Sequence, residues 1–273
     1  GGICVNLLRH PAWGRAQETY GEDPHHVGEM GASLTRGAQR HVMATLKHFA
    51  LNSMENARFG VDVSIDERAL HEVYLPHFKR IVDEGVACVM TAYNSVNGEW
   101  CGENTALISD ILRDEWGFVG FVISDWIFGL RDGVKSLQAG LDVEMPYRMI
   151  RNAPITAALA EGLITEELVA SAVTRTLTTM LKFGVGQLPV SDRSVVLCEE
   201  HLALSQEVAE KSMVLLKNES VNGLALLPLN CAAGSTIGWW NSSARTARNP
   251  RARTSSPAPA AASSKTPPGT SAT

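Results

Sequence analysis

Asp125 stands at the end of a short apolar run, Phe121-Val122-Ile123-Ser124. A carboxylate that follows a buried strand loses hydration unless hydrogen bonds or cations hold its charge, so its position indicates a chemical purpose. An aspartate that only caps a turn or braces a loop is the alternative interpretation.

Basic side chains follow other apolar runs in the same way. Lys47 and His48 end the second run, Arg15 follows the first run in a turn that contains Gly14, and Arg58 comes eleven residues after Lys47. Arginine can donate paired hydrogen bonds to a polyol, whereas a histidine here could also be a satisfied structural residue. These cations around one carboxylate predict a polar pocket.

Aromatic residues complete this pocket. Tyr93 and Asn94 end the third apolar run, and Trp126 directly follows Asp125. A sugar ring offers hydroxyls to fixed donors and an apolar face to an indole, so the set suits a carbohydrate. Glu18 lies near Arg15, while Glu22 and Asp23 are better explained by a helix N-terminus.

The apolar runs predict the strands that position these residues. They are nearly continuous, as in parallel strands covered on both faces, and comprise Ile3–Leu8, Val42–Phe49, Val86–Tyr93, Phe118–Trp126 and Leu141–Met145. Alternation with helices fits an open sheet or a barrel. Polar groups at successive strand ends, including Glu144 after the fifth run, favour a (β/α)8 barrel. A Rossmann sheet is disfavoured because no GxGxxG follows the first strand.

Three helices carry recognisable start signals. Asp23-Pro24 predicts an N-cap and first helical residue, with Val27, Met30 and Leu34 on one side. Ser64 to Glu67 reads as a capping box, and Pro76 should split the helix that follows. Asn104 is expected to cap a third helix that buries Leu107, Ile108, Ile111 and Leu112.

Composition limits the domain organisation. An Ala-rich helix after Pro154 and a helix capped at Thr165 precede a predicted linker at 187–198. A helix over 199–211 and a strand over 213–217 begin a second domain, predicted over 199–241. The 32 residues from 242 to 273 contain no Val, Ile, Leu, Met or aromatic residue and are expected to be disordered.

Charge and cysteines exclude several classes of function. The whole chain carries −5, but residues 1–241 hold 19 basic and 29 acidic side chains, which argues against nucleic acid as a partner. The five cysteines form no CxxC pair, so neither a disulfide framework nor a zinc site is expected, and Cys88 reads as a buried core thiol. No apolar run is long enough to cross a membrane.

Five motifs in one order resemble glycoside hydrolase family 3, which includes many β-glucosidases and β-xylosidases. They are NLLRHPAWGRAQETYGEDP, KHFALNSMENARF, TAYNSVNG, EWGFVGFVISDW and AGLDVEMP, and the resemblance covers about residues 3 to 230. It implies a (β/α)8 barrel over 1–186, joined to an α/β sandwich, and hydrolysis with retention and no cofactor. By the family pattern, Asp125 is the nucleophile, and the sugar is held by Arg15, Lys47, His48, Arg58, Tyr93 and Trp126.

The resemblance also implies a chain truncated at both ends. The first barrel strands of the family, with a sugar-binding aspartate, would precede Gly1, and the acid/base glutamate would come from the sandwich domain. No residue here matches that glutamate. The expected partner is a β-glycoside substrate, with β-glucoside preferred over β-xyloside because of Trp126. The alternatives are a β-xylosidase of the same family and an inactive fragment that only binds sugar. Oligomeric state and compartment are left open.

Overall fold

The computed structural model describes residues 2–186, 192–221, 223–225 and 227–228. The chain divides into two compact units, with the boundary between Ser191 and Asp192. The predicted low-complexity segment 242–273 lies outside the described residues, as do residues 187–191 of the predicted linker.

The first unit is built on a four-stranded parallel sheet. Its strands are neighbours in chain order, namely β1 (Ile3–Cys4), β2 (Thr45–Phe49), β4 (Cys88–Thr91) and β7 (Phe121–Ile123). They lie within the first four apolar runs, so those strand predictions are confirmed in place, although each strand is shorter than its run. The fifth run contributes only a single parallel bridge between Ile123 and Val143. A second, three-stranded sheet joins β3 (Asp62–Val63), β5 (Ser95–Val96) and β6 (Glu99–Trp100).

Helix α1 (Pro24–Ala38) begins as predicted, because the Asp23 side chain accepts hydrogen bonds from the next two free backbone N–H groups. The three apolar residues expected on one side of this helix are not all buried. Val27 is buried, but Met30 and Leu34 are 44% and 45% exposed. The buried face is instead lined by small residues, since a Cβ on Gly31 would lie 2.5 Å from Ile81 in the opposing helix.

The next helical region is interrupted, as predicted from its proline. It comprises α2 (Glu67–Ala69), a π-helical segment Leu70–Tyr74 and α3 (Pro76–Asp83). The cap is Asp66 rather than Ser64, because the Asp66 carboxylate accepts from the Ala69 N–H at 2.8 Å. Both residues begin possible capping sequences, and the one with the reachable free N–H groups forms the cap.

The remaining helices of the first unit begin with a segment that precedes β7 and continue after that strand. The π-helical segment Ala106–Glu115 buries the predicted apolar face, and Asn104 accepts from Leu107 N at its start. After it come α4 (Gly133–Gln138), α5 (Asn152–Ala160) and α6 (Glu166–Lys182), the last capped by Thr165 as predicted.

One buried carboxylate fastens α6 to the sheet. The Asp142 side chain is fully buried and pairs with Arg113 and Arg175 at 2.7 and 2.8 Å. It also accepts from the backbone N–H of Val122 at 2.7 Å. Asp142 therefore joins two helices to the strand that precedes Asp125.

The second unit contains α7 (Glu199–Ser212) and a hairpin of β8 (Ser220–Val221) and β9 (Leu224–Ala225). The helix agrees with the sequence expectation, but the strand expected over 213–217 is wrong, because this segment pairs with no strand in the described part of the chain. No described helix is long and apolar enough to span a membrane.

Candidate active site

The predicted site residues converge on one cavity of about 630 Å³ at the carboxyl ends of the parallel strands. Its lining includes the predicted nucleophile and all six residues predicted to hold the sugar, with three more: Arg15, Lys47, His48, Arg58, Tyr93, Asp125 and Trp126, with Glu18, Glu55 and Met90 in addition. Successive strands end at the same edge of the sheet, which explains why residues far apart in sequence meet there.

Asp125 is held with one carboxylate oxygen free. The residue is only 5% exposed. Its Oδ1 accepts from the N–H of Trp126 at 2.7 Å, whereas Oδ2 has no hydrogen-bond partner among the described residues. Burial raises the pKa of this carboxyl, and the Trp126 N–H, the Tyr93 hydroxyl and two arginines oppose that shift.

The turn after Asp125 is packed tightly against its own backbone. A Cβ on Gly129 would lie 2.5 Å from the carbonyl oxygen of Asp125 and 2.8 Å from its nitrogen. The Ser124 hydroxyl accepts from the N–H of Met145 at 2.9 Å, which ties the same turn to the end of the fifth apolar run. These contacts fix where the Asp125 carboxylate points.

Both Lys47 and His48 face the cavity, where an ideal strand would turn alternate side chains to opposite faces. The register of β2 against β4 shifts between Leu46 and Phe49, so the two residues lie in a bulge.

His48 is neutral and sits between an arginine and the aspartate. Its Nε2 lies 2.9 Å from Arg15 Nη1 and 3.7 Å from Asp125 Oδ2. Burial, followed by the charges of Arg15, Lys47 and Arg58, lowers the pKa of His48 to about 2. The imidazole therefore contributes no positive charge near neutral pH.

Glu18 holds two of the cations in place. Arg15 donates to both of its carboxylate oxygens at 2.8 Å, and Lys47 Nζ lies 3.5 Å from Oε2. The hydrogen bonds from Arg15 are the main reason that the pKa of Glu18 is lowered. Sequence analysis placed Glu18 near Arg15 but did not identify it as a partner of Lys47.

Arg58 is fixed by a carboxylate and two rings. Its Nη1 lies 2.9 Å from Glu55 Oε2, and its guanidinium carbon lies 4.6 Å from the centre of the Tyr93 ring and 4.8 Å from that of Phe59. The Tyr93 hydroxyl donates to the carbonyl of Trp126 at 2.6 Å. Burial and the nearby Asp125 charge raise the pKa of Tyr93 to about 12, so this hydroxyl stays protonated.

The aromatic wall joins two loops. The Phe59 ring contacts Tyr93 and Phe128 at centroid distances of 4.7 and 5.6 Å. Arg131 donates to the carbonyls of Phe59, at 3.1 Å, and of Phe128, and its guanidinium stacks over Trp100. Trp126 is 47% exposed beside Asp125, in the wall position expected of it.

Some polar residues at strand ends serve the fold. Glu144 accepts from the backbone N–H groups of Met149, Ile150 and Arg151 and so braces a loop, which differs from its expected place among the functional groups. Asn94 donates to two backbone carbonyls. The thiol of Cys88 is buried as expected, and burial raises its pKa to about 12.

A family model and several known proteins match most of this chain. The model of the glycosyl hydrolase family 3 N terminal domain matches residues 4–179. Thermostable beta-glucosidase B of Acetivibrio thermocellus is 39% identical over 221 residues, which are 80% of this chain and 29% of that protein. An exo-alpha-(1->6)-L-arabinopyranosidase of Bifidobacterium longum is 37% identical over 84% of this chain and 30% of its own length.

Solved structures agree with this result. Beta-glucosidase 3B of Thermotoga neapolitana, in complex with glucose, matches 84% of this chain with a TM-score of 0.75 and 36% identity, and the match spans 32% of that structure. The parallel strands of this chain are therefore part of a (β/α)8 barrel, as expected from the strand-end pattern. The chain spans about three tenths of the length of these relatives, and it belongs to glycosyl hydrolase family 3.

Proposed function

We propose that this chain carries the nucleophile and the sugar-binding cavity of a retaining β-glucosidase, which cleaves β-glucosidic bonds at the non-reducing end. The unpartnered Oδ2 of Asp125 is the observation that supports it most, because a buried carboxylate oxygen without a hydrogen bond is available to attack. In the first step Oδ2 bonds to the anomeric carbon while the bond to the leaving oxygen breaks. Water then cleaves the resulting glycosyl ester.

The cations around Asp125 suit the sugar rather than the leaving group. Arg15, Lys47 and Arg58 are each held by a carboxylate, so their N–H groups have fixed directions before a ligand arrives. Fixed donors to ring hydroxyls can bind more strongly as charge develops on the ring in the transition state. Neutral His48 adds a hydrogen-bonding group without repelling the oxocarbenium-like carbon.

A proton for the leaving oxygen is not expected from the other carboxylates of this cavity. Glu18 accepts two hydrogen bonds from Arg15, and its lowered pKa makes it a poor acid. Glu55 is paired with Arg58. Leaving groups that depart without protonation should therefore react best with this chain as it stands, since general acid catalysis contributes roughly 10²–10⁴ in rate.

Glucose is proposed as the preferred sugar because two of the similar proteins are named as beta-glucosidases, one of them solved with glucose. The exo-alpha-(1->6)-L-arabinopyranosidase among the similar proteins acts on a pentose, so the preference needs its own test. Trp126 beside the nucleophile offers an apolar face to the sugar ring.

A covalent trap tests the proposal without an acid/base residue. The chain is incubated with 2,4-dinitrophenyl 2-deoxy-2-fluoro-β-D-glucoside, whose leaving group needs no proton and whose fluorine slows hydrolysis of the intermediate. Mass spectrometry is expected to find one fluoroglucosyl group on the peptide that contains Asp125. Asp125→Asn should remain unlabelled.

Asp110→Asn is the matched control, because Asp110 is an exposed aspartate of the segment 106–115 and should not affect labelling. Labelling of Asp125→Asn at the wild-type rate, or a label on another residue, would refute the nucleophile. Faster labelling by the xylose analogue would instead assign a β-xylosidase.

A further inference from the structure

Asn6 forms three hydrogen bonds to a single residue, His48. Asn6 follows β1 and is 2% exposed. Its Nδ2 donates to the His48 carbonyl at 2.9 Å, and its Oδ1 accepts from the His48 backbone N–H at 2.9 Å. The same Oδ1 lies 3.2 Å from the ring nitrogen Nδ1. The Asn6 side chain thus makes the pair of hydrogen bonds to the His48 backbone that a neighbouring strand would make in a β-sheet.

These bonds determine which ring nitrogen carries the proton. A backbone N–H can only donate, and a carbonyl can only accept, so the two backbone bonds fix which end of the Asn6 amide is oxygen. Because Nδ1 faces that oxygen, Nδ1 must be the protonated nitrogen of the neutral ring. Nε2 then carries a lone pair, which accepts from Arg15 at 2.9 Å.

We propose that Asn6 is a positioning residue, which holds His48 as the Nδ1–H tautomer and so keeps a donor away from the attacking oxygen of Asp125. This inference rests on the proposed role of Asp125. In the other tautomer, Nε2–H would face Asp125 Oδ2 at 3.7 Å and also oppose the Arg15 N–H. Donation to Oδ2 would occupy the oxygen that must attack, and it would remove a partner of Arg15.

Asparagine is suited to this task because one planar amide supplies the donor and the acceptor. Aspartate has no donor for the His48 carbonyl, and its charge would favour an imidazolium. The titratable and charged groups that face His48 are Cys4 from β1, Arg15, Lys47 of its own strand, Arg58, Tyr93 and Asp125. The three cations among them oppose protonation, and the neutral Asn6 leaves that balance undisturbed.

The test follows the His48 ring by ¹⁵N NMR in the whole chain, with the His48 signals identified by their loss in His48→Gln. Wild type is expected to show a protonated Nδ1 and an unprotonated Nε2 near neutral pH. Asn6→Ala should give a mixture of tautomers, and Asn6→Asp should move His48 protonation upward in pH. Asn97→Asp is the matched control, since Asn97 makes the same pair of backbone bonds to Ile65 in the β5–β6 hairpin.

Glucose binding by calorimetry supplies the second measurement. Asn6→Ala should weaken glucose binding about tenfold, the order expected when a polar group loses its orientation, while Asn97→Asp should leave the affinity unchanged. An Nε2–H tautomer in wild type overturns the proposal without any variant, as does an unchanged tautomer in folded Asn6→Ala. If wild type binds no glucose, the proposed function fails, and the NMR result still decides the role of Asn6.

Discussion

Replacing Gly129 by alanine should move the Asp125 carboxylate without touching its chemistry. The added Cβ would lie 2.5 Å from the Asp125 carbonyl oxygen, where ordinary contact begins at 3.4 Å. The new Cβ and the Asp125 carbonyl oxygen are both attached directly to the backbone, so no flexible side chain can move aside. The turn itself must therefore shift by about 0.9 Å. A displacement of this size at a reacting group costs on the order of 10²-fold in rate.

The assay is the rate of labelling of Asp125 by the fluoroglucoside trap, measured beside a urea unfolding curve. Gly129→Ala should label about 10–100-fold more slowly. Gly37→Ala is the control, because a Cβ at that position of α1 would meet no described atom within 4 Å beyond the adjacent residues and the backbone of the helix itself. A Gly129→Ala protein that unfolds at the wild-type midpoint and labels within about threefold of wild type would refute the positional argument.

Two further predictions concern stability. Asp142→Ala leaves the guanidinium groups of Arg113 and Arg175 without their buried carboxylate. The free energy of unfolding, measured in urea, should fall by about 3–5 kcal/mol. The control is Glu99→Ala, which breaks an exposed pair with Lys135 and should cost under about 1 kcal/mol. Burial lowers the pKa of His77 from 6.5 to about 3, so the unfolded chain takes up this proton first as the pH falls. His77 should therefore contribute a loss of about 1.4 kcal/mol of stability per pH unit between about pH 6.5 and 3. His77→Leu should show a shallower loss, and an equal slope would contradict the assignment.

The parallel strands and the residues at their ends could be predicted because both depend on local pattern. Continuous apolar runs indicate covered strands, and parallel strands bring their carboxyl ends together. The convergence of Arg15, Lys47, His48 and Asp125 follows from that rule. Their catalytic and binding roles remain predictions.

Other features depend on contacts that periodicity does not encode. Met30 and Leu34 have the helical spacing of Val27, yet they are exposed, because the close approach of Gly31 to Ile81 buries the side of α1 that carries Val27 and the small residues. Lys47 and His48 share the cavity because of a bulge, for which the sequence gives no signal.

The carboxylates that hold the cations are only weakly indicated by the sequence. Glu18 follows Arg15 by three residues, and Glu55 precedes Arg58 by three, a spacing that allows a local pair but does not require one. Asn6 is indicated more clearly, because it is a single amide side chain inside the apolar run 3–8, and a buried amide must find hydrogen-bond partners.

Arg131 links the loop that follows β2 to the loop that follows β7, through the carbonyls of Phe59 and Phe128. Because Arg131 and Phe128 belong to the same loop, a fluctuation that widens one side of the cavity must break the hydrogen bond from Arg131 to Phe59 or carry the other side with it. Loops joined in this way move as one body, so differences in substrate preference are more easily introduced by exchanging side chains such as Phe59 or Phe128 than by changing how far either loop opens.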